Sequence, residues 1–166
     1  MIEIRPATAA DLDPVTALFL RCWRESYASV LPKRVIEVLD ESSARDLWRR
    51  ALETSKPGTK GFVALADYRV VGITRLGSDP DEPTAGHVFS LYVDPSSQGQ
   101  GVGGRLLDEA DRCFAAEGHL EATLWLFEAN ASARRFYERH GWHPDGGERV
   151  EADFGEPELR LRHAVG

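Results

Sequence analysis

The chain has 166 residues, 42% of them hydrophobic, and its four Trp and seven Phe side chains must be buried or line a pocket. That length suits one compact domain spanning residues 1–166, and the composition excludes disorder as the main state. The net charge of −7 argues against nonspecific nucleic-acid binding, which needs a basic surface.

Membrane, secretory and metal-binding signals are missing from the sequence. No segment approaches the roughly 20 apolar residues of a membrane-spanning helix, and the first residues lack the basic and apolar regions of a secretory signal. Cys22 and Cys113 lie far apart without CxxC spacing, so they predict two small buried hydrophobic side chains. We therefore expect a cytoplasmic protein that binds no metal, no membrane and no nucleic acid.

The first third of the chain predicts one strand followed by two helices. The first seven residues form the strand, and Thr8 and Asp11 then have the spacing of a capping box. Apolar residues recur at helical intervals as far as Val30. A second helical pattern begins at Pro32 and continues to Ala51.

From residue 61 the sequence predicts mainly short strands. The predicted strands are 61–66, 70–76, 87–93, 120–127, 142–150 and 158–163. Two helices interrupt them, one over residues 101–117 with Gly118 as its C-terminal cap, and one that begins at Asn130 and ends at Gly141. The order βααβββαβαββ indicates the α/β class, with a mixed sheet and helices on both faces.

The stretch LYVDPSSQGQGVGGRLL, residues 91–107, carries the clearest functional pattern. A strand ends at Val93, a helix begins near Gly101, and glycines stand at positions 99, 101, 103 and 104. Because glycine has no Cβ, backbone N–H groups converge at this helix N-terminus and favour a phosphate or pyrophosphate. The P-loop pattern is absent, and the GxGxxG match does not follow the first strand, as a dinucleotide site requires. A glycine turn that binds nothing is the alternative.

Two motifs resemble those of the GNAT-type N-acetyltransferase superfamily. The pattern [QR]xxGx[GA] is matched by residues 98–103, directly after LYVDP. The pattern NxxAxxFYxxxG[FW] is matched by residues 130–142. Both occur in the family's order with a strand between them, and residues 23–32 and the closing strands are also typical of the family.

The resemblance implies a GNAT-like fold and acetyl-CoA as co-substrate. In this family the fourth and fifth strands splay apart, often with a β-bulge, and the pantetheine arm lies in the gap. Asn130 would reach that arm or hold the splayed strand, and helix capping alone is the alternative. The cofactor-binding residues implied in this way are Leu91, Tyr92, Val93, Gln98, Gly99, Gln100, Gly101, Val102, Gly103, Gly104, Asn130, Ala133 and Tyr137.

Acetyl transfer to an amine needs a neutral nitrogen, a stabilised oxyanion and a protonated leaving thiol. A primary amine with a pKa of about 10.4 is mostly protonated at neutral pH, so a base is useful. Tyr137 occupies the family position of the acid that protonates the CoA thiolate, and packing beside Phe136 is its structural alternative. We expect the backbone N–H of Val93 to stabilise the oxyanion.

The base is where the sequence departs from the commonest family pattern. Many relatives carry a glutamate near the start of the strand before the glycine turn, where this chain has His87. An imidazole with a pKa near 6.5 can do the same work, although a solvent-facing strand position is an equal alternative. Glu121 and Glu128 are lesser candidates for the base.

Trp23 and Tyr27 lie four residues apart, in the region where relatives build the acceptor site. An aromatic wall there would hold a cation or an apolar side chain, and core packing is the alternative. The expected acceptor is an amine on a small molecule, antibiotic, amino acid or protein, and association as a homodimer is left open. A non-catalytic acyl-CoA-binding sensor is the alternative function, and an unrelated nucleotide-phosphate binder is a third.

Overall fold

The computed structural model describes residues 1–53 and 56–166. In that part of the chain the strands are β1 (Ile2–Pro6), β2 (Lys60–Ala66), β3 (Arg69–Ser78), β4 (Gly86–Val93), β5 (Glu121–Phe127), β6 (His143–Val150) and β7 (Pro157–Ala164). The helices are α1 (Leu12–Arg21), α2 (Lys33–Ile36), α3 (Glu41–Glu53), α4 (Val102–Ala116) and α5 (Ala131–Arg139). The strands form one mixed sheet in the order β1-β2-β3-β4-β5-β7-β6, so the predicted α/β class is confirmed.

The first helix begins as predicted and ends differently. The backbone N–H of Thr8 donates to the Asp11 carboxylate at 2.8 Å, as the capping-box spacing indicates. The helix then widens into a π-helical turn, Cys22–Ser26, instead of continuing regularly to residue 30. In this turn the backbone N–H of Tyr27 donates to the Cys22 carbonyl at 3.2 Å. Such wide turns are frequent at functional sites.

The predicted second helix is divided into α2 and α3. The separation has a local cause at Asp40, whose carboxylate accepts from the backbone N–H of Ser43 at 2.7 Å and from its hydroxyl at 2.8 Å. An aspartate that satisfies these first N–H groups starts a new helix. The apolar spacing across residues 32–51 therefore belongs to two helices that share one buried side.

Helices cover both faces of the sheet. On one face α4 and α5 pack against a cluster that contains Leu106, Phe114 and Leu124. On the other face α1 and α3 pack against a second cluster, which contains Phe19 and Trp48. Burying a side chain of this size fully contributes about 1.5–3 kcal/mol, so the two clusters hold the helices on the sheet.

The sheet opens between its two central parallel strands, as the resemblance implied. β4 pairs with β5 only at Gly86–Ala122, His87–Thr123 and Val88–Leu124. At the end of this short ladder β4 carries a β-bulge, since Leu76 pairs with Val88 and Arg75 with Ser90, which leaves Phe89 between them. Beyond this point the two strands diverge.

The prediction of two buried cysteines is confirmed for Cys22, whereas Cys113 is only half-buried. Both are free, and Cys22 donates its thiol to the Val93 carbonyl at 3.1 Å. Burial raises the pKa of Cys22 to about 12, so the thiol stays neutral. Within residues 1–53 and 56–166, no group of His, Cys, Asp and Glu side chains could hold a metal ion. In the same residues, no helix has the length and apolar character needed to cross a membrane.

Candidate active site

The gap between β4 and β5 opens into a cavity of about 1290 Å³. Its walls include α4 and α5 on one face of the sheet and the π-helical turn after α1 on the other. Almost all of the predicted site residues line this cavity: Trp23, Tyr27, His87, Leu91, Tyr92, Val93, Gln98, Gly99, Gly101, Val102, Gly103, Gly104, Asn130, Ala133 and Tyr137. Gln100 does not, because its side chain turns back and donates to the Ser96 carbonyl at 3.2 Å.

The turn between β4 and α4 has an unusual backbone that only glycine adopts readily. The φ angle is +77° at Gly99 and +83° at Gly101, and no atom lies within 4 Å of a Cβ built at either position. The turn is held by Asp94, whose carboxylate accepts from the backbone N–H of Ser96 at 3.0 Å and from Nε of Arg21 at 3.0 Å. Open space beside the N-terminus of a 15-residue helix suits an anion.

The other two glycines of the turn permit close helix packing. A Cβ at Gly103 would lie 2.8 Å from the Phe136 ring, and one at Gly104 would lie 2.8 Å from Nε2 of His140. Because Gly103 and Gly104 have no side chains, α5 can lie against the start of α4. The side chain of Gln98 links the turn to the opposite face, since its amide donates to the Ser26 hydroxyl at 3.2 Å. The side-chain amides of Gln98 and Gln100 are therefore both engaged with protein atoms.

Helix α5 brings Tyr137 to the cavity. The Asn130 side chain caps this helix by accepting from the backbone N–H of Ala133 at 3.1 Å, which confirms its predicted capping role. The Tyr137 ring packs between Phe136, 5.1 Å away, and Trp142, 6.3 Å away. Burial raises the pKa of Tyr137 above its ordinary value, so its phenol keeps its proton at neutral pH.

His87 lies at the paired end of β4, opposite Thr123 of β5. Its Nδ1 is 2.7 Å from the Thr123 hydroxyl oxygen and 3.5 Å from the Asp79 carboxylate. The Thr123 hydroxyl donates to Asp79, because an ionised carboxylate can only accept. The same oxygen must then accept from His87, which places the imidazole proton on Nδ1 and leaves Nε2 as a base.

The surroundings of His87 favour a neutral imidazole. Burial would raise the pKa of Asp79, but the Thr123 hydroxyl, two backbone N–H groups and His87 outweigh it and lower that pKa. Burial lowers the pKa of His87 below its ordinary value, although Asp79 opposes the shift. His87 is 6% exposed, so the predicted alternative of a solvent-facing residue is wrong.

Trp23 and Tyr27 form part of the wall on the α1 face. Trp23 is 3% exposed and stacks on Phe19 with ring centroids 5.7 Å apart, so the core-packing alternative applies to it. Tyr27 packs 4.9 Å from Trp23 and 6.1 Å from Phe127 and is only half-buried. Both residues also line the cavity.

The end of β6, the loop after it and the start of β7 also line the cavity. Arg149 lies over the Trp125 ring at 4.4 Å and forms ion pairs with Glu158 at 2.8 Å and Glu151 at 3.0 Å. The loop is attached to α2 by Arg34, which pairs with Glu156 at 2.7 Å. All of these side chains except Arg34 and Glu156 line the cavity, which therefore has aromatic and charged walls.

The N–H of Val93, the last residue of β4, points into the gap. The N–H of Asp94 donates to the Val71 carbonyl of β3 at 2.9 Å. Because successive N–H groups of a strand point to opposite sides, the N–H of Val93 is directed away from β3 and toward β5. It therefore lies where the strands have separated.

Comparison with known proteins identifies the family to which this chain belongs. The profile of the acetyltransferase (GNAT) family matches residues 13–142, most of the chain. The chain belongs to the GNAT family. A probable N-acetyltransferase of Mycobacterium tuberculosis is 31% identical over 151 residues, covering 87% of this chain and 82% of that protein.

Two further similarities are to proteins named as acetyltransferases in Thermoplasma acidophilum, one found by sequence and one by structure. A spermidine N(1)-acetyltransferase is 24% identical over 144 residues, covering 85% of this chain and 88% of that protein. The solved structure of the PaiA N-acetyltransferase in complex with coenzyme A has a TM-score of 0.79 and 20% identity, and the match covers 99% of both chains. The second likeness confirms the GNAT fold.

Several residues in the cavity of this GNAT domain were not predicted. Thr123 and Arg75 each interrupt an apolar strand, and that interruption was an available signal. Asp79 lies in a turn-rich segment, where no sequence signal pointed to it. The lesser candidates Glu121 and Glu128 lie outside the cavity lining, and Glu121 pairs with Arg162 at 3.0 Å.

Proposed function

We propose that this protein transfers the acetyl group of acetyl-CoA to a primary amine by direct attack in a ternary complex. The observation that carries the proposal is the cavity through the sheet, which joins an anion-binding turn to a histidine and a tyrosine. Family membership and relatives named as N-acetyltransferases support acyl transfer as the reaction class. The complex of coenzyme A with the PaiA protein supports coenzyme A as the ligand.

The residues of the gap fit coenzyme A. The space beside Gly99 and Gly101 leaves room for a pyrophosphate against backbone N–H groups of residues 98–104. Residues 91–93 pair with β3 but not with β5, so the β5 side of their backbone is available to a pantetheine arm, with the Asn130 amide and Ala133 nearby in the wall. When bound, acetyl-CoA supplies an activated acetyl group as its thioester. No metal is needed for the transfer.

His87 is the proposed base. A primary amine reaches the site mostly as an ammonium ion, and Nε2 of a neutral imidazole accepts its proton directly or through water. Thr123 and Asp79 hold the ring in the tautomer that leaves Nε2 free. Asp79 then stabilises the imidazolium that forms, because the two groups are 3.5 Å apart.

Val93 and Tyr137 act on the two negative charges that develop during transfer, one on the acetyl oxygen and one on the departing thiolate. The N–H of Val93 donates to the acetyl carbonyl oxygen as negative charge develops there. Tyr137, kept neutral by burial, donates its proton to the departing thiolate. These groups, together with the hydrogen-bonded His87, favour an enzyme over a non-catalytic acyl-CoA sensor.

The acceptor site lies between Trp23 and Tyr27 and the β6–β7 loop, opposite the glycine turn. Pantetheine in the gap leaves the acetyl carbonyl open from that face only. The spermidine acetyltransferase among the relatives makes polyamines one class of acceptor to test, beside amino acids and peptide N-termini.

The test is thiol release from acetyl-CoA with a panel of these amines, using the wild type and Tyr137→Phe. We expect Tyr137→Phe to lower kcat about 10- to 1,000-fold while the Kd of acetyl-CoA changes little, since the ring packing is kept. Full turnover in this variant would show that Tyr137 only packs. Absence of acetyl-CoA binding to the wild type would contradict the proposed function itself.

A further inference from the structure

We infer that Arg75 and Ser90 form a binding site for a carboxylate on the acceptor, so that the acceptor is an amino acid or a similar amine with one carboxylate. This inference rests on the proposed function, because it identifies the substrate class of the same cavity.

Among the described residues, Arg75 is a half-buried cation without an acidic partner, and its electrostatic neighbour is the phenol of Tyr92, which burial keeps neutral. It lies on β3 and lines the cavity, and it has neither an ion pair nor a hydrogen bond among residues 1–53 and 56–166. Burial lowers the pKa of Arg75 from its ordinary value, and the guanidinium still stays charged at neutral pH. A desolvated charge that is left unpaired is costly, so an anionic ligand would compensate it.

Arg149 differs from Arg75 in having carboxylate partners, and Arg139, a third arginine of the lining, is exposed rather than half-buried. Arg149, also in the cavity wall, has two carboxylate partners, Glu151 and Glu158. Asp79 is engaged with Thr123 and with backbone N–H groups. These carboxylates of the wall are already satisfied by other groups, and Arg75 is left to a ligand.

Ser90 provides a second unused polar group beside Arg75. The two residues are direct partners in the β3–β4 ladder, so their side chains lie next to each other on one face of the sheet. The Ser90 hydroxyl oxygen is buried without a hydrogen-bond partner in the part of the chain that the structure describes. Ser90 also lines the cavity.

Both side chains face the proposed acceptor. Arg75 has the same orientation as Ile73, two residues away on β3, and Ile73 packs in the cluster with α1 and α3. The glycine turn adjoins α4, which packs on the opposite face. Coenzyme A phosphates held by the turn therefore lie away from Arg75.

The number of donors favours a carboxylate. One guanidinium supplies a single positive charge and a planar pair of N–H groups that matches a carboxylate, and the Ser90 hydroxyl adds one further donor. A dianionic phosphate would remain half uncompensated. Ser90 is three residues from both His87 and Val93, about 10 Å along the strand, so one small molecule in the cavity can contact all three residues.

The inference is tested with matched pairs of acceptors, methionine, phenylalanine and lysine against their C-terminal amides. We measure kcat/KM for each and, by calorimetry, the Kd of each amino acid for the coenzyme A complex. The variants are Arg75→Met, Arg75→Lys and Ser90→Ala. Arg69→Met is the matched control, because Arg69 is exposed on the same strand and does not line the cavity.

For the wild type we expect at least one amino acid to be preferred over its amide by about ten- to a hundredfold. Arg75→Met should reduce that ratio to near one, because it should lower kcat/KM for the amino acid and leave kcat/KM for the amide unchanged. Arg75→Lys should restore part of the ratio, Ser90→Ala should lower it less, and Arg69→Met should leave it unchanged. Because methionine replaces a half-buried charge with an apolar chain, Arg75→Met should fold as stably as the wild type.

Three results would overturn the inference. The first is a wild type that uses the amides as well as the amino acids. The second is an Arg75→Met variant whose kcat/KM falls equally with both. The third is a panel in which no carboxylate-bearing amine is acetylated or bound. The proposed function has a separate readout. Binding of acetyl-CoA with transfer to spermidine alone would support acetyl transfer and refute the carboxylate site.

Discussion

Gly101 offers a sharp test of the anion-binding turn because Gly118, at the other end of α4, is a matched control with the same backbone conformation. Both have a φ of +83°, and at neither position does any atom lie within 4 Å of a built Cβ. A side chain at either position therefore carries the same backbone strain, about 1–2 kcal/mol, without a steric clash. For a domain of this size, the strain lowers Tm by roughly 2–8 °C.

Gly101→Glu should differ from Gly118→Glu in acetyl-CoA binding. Glutamate at 101 places a carboxylate among the N–H groups that face the pyrophosphate. The loss of two charge-assisted hydrogen bonds, about 1.5 kcal/mol each, weakens binding about 100-fold, before charge repulsion is added. Gly118→Glu is expected to bind within about twofold of the wild type, because the residue lies at the far end of a 15-residue helix.

Calorimetric titration with acetyl-CoA gives the Kd, and thermal unfolding of the same samples shows that both variants are folded. Gly101→Ala completes the set, since it carries the backbone strain without the charge and should weaken binding far less than Gly101→Glu. If Gly101→Glu binds acetyl-CoA as tightly as Gly118→Glu, the pyrophosphate does not lie at this turn.

Two further predictions concern the walls of the cavity. The kcat/KM should fall at acid pH through the pKa of His87, which burial holds below about 6.5, so His87→Gln should lose this limb and Asp79→Asn should move it to still lower pH. An unchanged pH–rate profile in both variants would show that His87 is not the base. Tyr27→Ala should raise the KM of the acceptor and leave the KM of acetyl-CoA nearly unchanged, and the opposite pattern would assign Tyr27 to the cofactor side.

The sequence predicted those parts of the site that are local in the chain. The glycine turn, the cap at Asn130 and the position of Tyr137 all depend on residues within 98–104 or 130–142, where spacing and residue type determine the geometry. The splay of β4 from β5 followed from the family resemblance carried by the same segments. The turn, the cap and the position of Tyr137 are thus determined by short-range geometry, whereas the splay was predicted only through the resemblance.

What the sequence did not predict depends on contacts between distant segments. His87, Thr123 and Asp79 come from two strands and a loop, and only the parallel register of β4 with β5 makes Thr123 the partner of His87. The unpaired state of Arg75 is likewise a property of everything around it. The division of α2 from α3 was local, since Asp40 is a strong capping residue, but the continuous apolar spacing concealed it.

The β-bulge at Phe89 explains how one strand serves both sides of the cavity. In a regular strand, side chains alternate between faces, so residues 87 and 90 would lie on opposite faces. Val88 and Leu91 nevertheless pack in the same cluster, on the α4 face, although they are three residues apart. The extra residue shifts the alternation, so His87 and Ser90 both lie on the face of the proposed acceptor while Leu91 and Val93 lie on the α4 face. The bulge thus lies where β4 separates from β5 and brings the proposed base and the proposed carboxylate site onto one face of the sheet.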